Sequence, residues 1–122
     1  MNTINTFDNN IFDYANYSGK CDRLDTILYG SCKFLLTSSS GTISMSSMFG
    51  VPVAINNIVP ISQSFLGTSE NICIPKLYMK NGKYIKFNEI LNSESSNFRH
   101  ASDFKYAGIQ LVDNSKDEIL EL

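Results

Sequence analysis

Ser38-Ser39-Ser40-Gly41-Thr42 is the stretch whose residue types and spacing best fit chemistry: four hydroxyls around one glycine, followed by a short amphipathic segment ending at Phe49. A glycine lets a ligand approach the backbone closely, hydroxyls both donate and accept, and the first N–H groups of a helix favour an anion. Together these make a phosphate cradle, with Ser39, Ser40, Gly41 and Thr42 as its contacts. Asn56 and Asn57 close the next apolar run, Val53-Ala54-Ile55, and offer amides to a base, a ribose or a sugar hydroxyl. Both groups also have a plain structural reading. Serines are preferred helix caps, Asn-Asn is an ordinary turn pair, and motifs of this length arise often by chance.

Such residues need a scaffold to bring them together. Phe34-Leu35-Leu36 reads as a strand, Thr42 to Phe49 as a helix and Val53-Ala54-Ile55 as a second strand. That order makes a parallel unit whose ligands bind beyond the carboxyl ends of the strands. Ser44, Ser46 and Ser47 are mediocre helix formers, so packing through Ile43, Met45, Met48 and Phe49 is expected to hold the helix. Gly50 and Pro52 punctuate its end. Ahead of this unit, Ile11 to Ala15 reads as a strand. Asp22 to Ser31 reads as a helix whose Leu24, Ile27 and Leu28 form a stripe aimed at the sheet.

Behind it, 58–70 is an unpatterned loop and Asn71 to Ile74 a strand. Asn81-Gly82 joins a hairpin. Asn88 is expected to cap a short helix through Leu91, and 92–103 reads as a further loop. Gly108 to Val112 forms a strand, and Asn114 or Ser115 caps a helix that turns Ile119 and Leu120 inward. The fold class is α/β: one domain over 11–122 built on a Rossmann-like parallel sheet with flanking helices, preceded by a loose segment over 1–10.

Composition narrows the function classes. The chain has 122 residues, 43% apolar and 18% charged, with a net charge of −2, as an ordinary globular domain does. That charge gives no electrostatic reason to expect nucleic acid or acidic membranes. No apolar run nears the roughly 20 residues of a membrane span, and the Asn-rich start lacks a signal-peptide pattern, so a cytoplasmic address is expected. Cys21, Cys32 and Cys73 lack metal-ligand spacing and read as free, mostly buried thiols; no metal or cofactor is expected.

The glycine spacings of a dinucleotide fold or a P-loop are missing, as is the GxSxG elbow of a hydrolase. His100 lies beside Arg99 in a polar loop, Lys76 reads as a solvated lysine, and neither Asp13 nor Asp25 has an acidic partner in sequence. The catalytic residues are therefore unknown from sequence.

The segments IFDYANYS, LDTILYGSCKFLLTSSSG, MFGVPVAINNIVPI, ICIPKLY and GIQLVDNSKDEILEL, in this order, resemble the carboxyl-terminal half of a group of bacterial glycosyltransferases linked to surface-polysaccharide synthesis. These enzymes have the two-Rossmann-domain, or GT-B, architecture. The resemblance runs from about Ile11 to Leu122 and is densest in CKFLLTSSSG and FGVPVAINN. It implies a domain that binds the nucleotide-sugar donor, with Ser39, Ser40, Gly41 and Thr42 near the diphosphate and Asn56 and Asn57 forming a second edge. It further implies a fragment, truncated at both ends, without the acceptor domain or the closing helices, which needs a separate acceptor-binding chain or self-association. Two other readings stand beside it: a non-catalytic α/β interaction module or pseudo-enzyme, and half of a nucleotide-sugar epimerase.

Overall fold

The structure, a computed structural model, describes residues 10–63 and 69–122. The expected loose segment over 1–10 and the middle of the 58–70 loop fall largely outside these residues. The fold is mixed α/β. Strands β1 (Leu35–Ser38), β2 (Val53–Ile58) and β3 (Ile72–Pro75) form a parallel sheet in that spatial order. Between β1 and β2 the chain crosses over through α2 (Thr42–Met48), the expected strand, helix, strand unit. Side chains alternate along each strand. Val53, Ile55 and Ile58 turn to one face, where Leu35, Cys73 and Ile43 of α2 pack on them. On the other face, Leu36, Ala54 and Ile72 stand side by side in register. Leu36 there is 47% exposed and Phe34, just before β1, 59%.

The first helix, α1 (Asp22–Ser31), spans the residues its periodicity predicts. Its stripe does not meet the sheet, however: Ile27 is 50% exposed, and α1 packs on α2 instead. Small residues explain this placement. Ser46 of α2 is fully buried and donates its hydroxyl to the Tyr29 carbonyl at 3.1 Å, while the Phe49 ring lies 3.0 Å from where a Cβ on Gly30 would stand. Ser46, a residue that weakens α2 locally, thus lets two helices approach closely. Met48, expected to anchor α2, is 86% exposed.

The expected hairpin and the expected strand near Gly108 come together in a second sheet. Strands β4 (Leu77–Lys80), β5 (Lys83–Tyr84) and β6 (Ile109–Val112) pair antiparallel in the order β5-β4-β6. Asn81 and Gly82 join β4 to β5 with φ of 52° and 74°, the positive values a type I′ hairpin turn requires. One face of this sheet is covered by α3 (Phe87–Leu91), a 3-10 turn (Glu94–Asn97) and α4 (Ala101–Tyr106), around a core of Ile61, Tyr78, Ile90 and Phe104. The 92–103 stretch is therefore no loop. The cap position of α3 falls on Lys86, and Asn88 lies within the helix.

At the carboxyl end, Ser115 rather than Asn114 caps α5 (Lys116–Leu120) by accepting from the Glu118 amide, and Leu120 points to solvent. Near the start, Ile11 to Ala15 is not a strand: a 3-10 turn (Tyr14–Asn16) stands there, tied to α1 by the Tyr14 hydroxyl, which donates to the Asp25 carboxylate.

Candidate functional site

The carboxyl ends of β1 and β2 bring the singled-out residues to one edge. Ser38 stands in register with Asn56, so the turn that leaves β1 and the end of β2 are neighbours. Ser39, Ser40 and Gly41 are exposed on that turn, and Thr42 is half-buried at the start of α2. The hydroxyls form a chain: Thr37 Oγ1 lies 3.3 Å from Ser40 Oγ, which lies 2.7 Å from Thr42 Oγ1. No serine sits at the cap position. Gly41 occupies it, with φ −63° and ψ −19°, a conformation open to any residue, and a Cβ added there would meet nothing within 4 Å. Neither the backbone nor the packing calls for glycine at this position.

Asn56 and Asn57 do not form a turn. Ile55 pairs with Cys73 and Ile58 with Pro75, so β2 spends one residue more than β3 between these pairs, which is a β-bulge. Asn57 takes up the irregularity with φ 56°, a value asparagine tolerates better than most residues. Its amide oxygen accepts from the Asn114 backbone N–H at 2.7 Å, and its own N–H donates to the Asn114 amide oxygen at 2.7 Å. Asn114 Nδ2 reaches on to the Pro75 carbonyl at 2.9 Å, and Asn57 Nδ2 donates to Asn56 Oδ1 at 3.1 Å.

This reciprocal clasp ties the junction of β6 and α5 to the bulge, and it holds the site edge against the second sheet. In sequence Asn114 reads only as a potential cap, because its partner lies 57 residues away. If the clasp works as a unit, Asn57→Ala and Asn114→Ala should be non-additive, with a coupling energy of about 0.5–3 kcal/mol in a double-mutant cycle read by denaturant unfolding. Additive losses would mean two independent contacts.

Other candidates fall elsewhere. Lys76 forms an ion pair with Asp113, which directs its charge to the neighbouring loop. His100 is exposed at the start of α4, where its backbone N–H donates to Asp103 Oδ2 at 3.2 Å. Cys21 is exposed and Cys32 and Cys73 half-buried, so the thiols are less buried than expected. Among the described residues, no group of three or more His, Cys, Asp and Glu is placed to hold a metal ion. No helix among them is long and apolar enough to cross a membrane.

The groups with displaced titration lie away from the serine turn. Burial pushes the Tyr78 phenol up, and backbone and side-chain hydrogen bonds from Ser115 hold the Glu118 carboxyl below its ordinary value. The hydroxyls and amides gathered at the site edge suit ligand binding rather than proton transfer.

Clefts among the described residues include three away from the serine turn. One of about 320 Å³ lies among Ile74, Pro75, Phe87, Asn114 and Glu118. A second, of about 300 Å³, opens on the uncovered sheet face among Phe34, Pro52, Ala54 and Ile72. The third, of about 420 Å³, is lined by Ile85, Glu89, Ser93, Phe98 and Ile109. Residues 38–42 line none of these three clefts. Compared with models of protein families, with curated proteins and with solved structures, the chain matches none.

Proposed function

We propose that the carboxyl edge of the parallel sheet binds a nucleoside-diphosphate sugar, and that the chain acts as the donor-binding, Rossmann-like half of a glycosyltransferase in bacterial surface-glycan synthesis. The observation that carries this reading is Gly41, a glycine that neither the backbone nor its surroundings require. A ligand that must touch the backbone is a reason for glycine here beyond the general favour glycine has at a helix cap. Ser39, Ser40 and Thr42 would donate to the diphosphate oxygens, and Asn56, in register with Ser38, would form the second edge. Because α2 has only seven residues, the hydroxyls rather than a helix dipole carry the binding. In transfer, such donors would stabilise the charge that grows on the departing diphosphate. The acceptor must be held beside the donor, by a separate acceptor-binding chain or a second copy.

Calorimetric titration of nucleoside diphosphates and their sugars into the purified chain tests the reading. Binding is expected for at least one, and Ser39→Ala and Thr42→Ala should each weaken it by roughly 0.5–1.5 kcal/mol, the net worth of a hydrogen bond. Failure of every nucleotide to bind would refute it.

The uncovered row Leu36, Ala54 and Ile72 favours a second reading, a non-catalytic interaction module. Parallel sheets are ordinarily covered on both faces, so an apolar row facing water invites a partner. The two readings part on the nucleotide, which the module does not bind.

A further inference from the structure

The tip of the β4–β5 hairpin carries a reactive pair. Asn81 and Gly82 are both exposed, and Gly82 puts no side chain beside its own amide nitrogen. Attack of that nitrogen on the Asn81 side-chain carbonyl needs rotation about Asn81 ψ and χ1, which the closed two-residue turn restrains until it opens. Opening is local here. β5 is two residues long, and the pair that closes the turn sets Lys80 opposite Lys83, like charges facing each other. Two lysines flanking the turn also raise the local positive potential, which favours loss of the Gly82 amide proton and the negative charge that attack places on the carbonyl oxygen.

We infer that Asn81 is a site of spontaneous deamidation. The Gly82 nitrogen bonds to Asn81 Cγ, the Cγ–Nδ2 bond breaks and ammonia leaves, giving a succinimide. Water then opens the ring at either carbonyl, giving aspartate or isoaspartate at position 81, with no oxidant or reductant involved. The aspartate product keeps the turn, because Asp tolerates positive φ and its carboxylate offsets the Lys80 and Lys83 charges. The isoaspartate product inserts a carbon into the backbone, and so breaks the two-residue connection that sets Met79 opposite Tyr84.

Incubating the folded protein at mildly alkaline pH and mapping amide-to-acid mass gain by peptide fragmentation tests this. Asn81 should convert ahead of Asn92 and Asn114, each of which precedes a serine, with a rate that rises with pH. Lys83→Glu, which replaces the repulsive pair with an attractive one and removes a cation, should slow conversion severalfold while leaving the fold intact. Circular dichroism and thermal melting of that variant check that the comparison is between folded proteins. Conversion at another asparagine first, or an unchanged rate in folded Lys83→Glu, would overturn the inference.

Discussion

Replacing Tyr78 with alanine is expected to cost about 3–5 kcal/mol of folding stability, the usual range for emptying a buried aromatic site. Tyr78 is 1% exposed, at the centre of β4 and of the second core. Its ring meets Phe104 edge-on at 5.5 Å and 82°, and Phe104 meets Phe98 at 5.4 Å and 84°, so rings from β4, α4 and the segment that leads into α4 interlock. Because β4 is the central strand of its sheet, the loss reaches β5, β6 and the helical cover together. A domain of ordinary stability, about 5–15 kcal/mol, would keep little reserve after it. Denaturant unfolding followed by far-UV circular dichroism checks the value. A loss under about 1 kcal/mol would mean that the second core is not a cooperative unit.

The second large effect lies in binding. Gly41→Val is expected to weaken nucleoside-diphosphate affinity by more than about tenfold, or ~1.4 kcal/mol, because branched methyl groups would stand where the diphosphate approaches. The fold should not suffer. Gly41 has φ −63° and open space around it, so a side chain fits, and the freedom it removes from the unfolded chain offsets the poorer capping by valine. A melting temperature equal to or above that of the parent, with affinity lost, separates a binding role from a structural one. A variant that melts earlier and binds normally would reverse the assignment.

Local signals were legible wherever one element decides its own shape. Leu24, Ile27 and Leu28 mark a helix over Asp22 to Ser31, and Asn81-Gly82 marks a hairpin, because periodicity and turn chemistry act within a few residues. Partner choice was not legible. The apolar stripe of α1 says that something covers it, but the buried Ser46 hydroxyl and the bare Gly30 surface that draw α1 to α2 look in sequence like weak helix formers. Gly108 to Val112 reads as a strand, yet only its pairing with β4 places it in an antiparallel sheet rather than the parallel one. The 92–103 stretch conceals a 3-10 turn and part of α4, since elements of four to six residues show too little of a period to read.

At the site edge, the gathering of Ser38 and Asn56 follows from the expected strand, helix, strand order and is seen in the β1–β2 register. The bulge at Asn57 and its clasp to Asn114 rest on a contact across 57 residues, beyond any local pattern.

The central claim is that this edge holds a nucleoside diphosphate, and a titration of the isotopically labelled protein followed by amide chemical shifts tests it most directly. The account predicts saturable shifts concentrated on the amides of residues 39–43 and the side-chain amide of Asn56, with the amides of β5 and α3 unmoved. Shifts confined to the cleft around Ile85 and Phe98, or no shifts at saturating nucleotide, would contradict it.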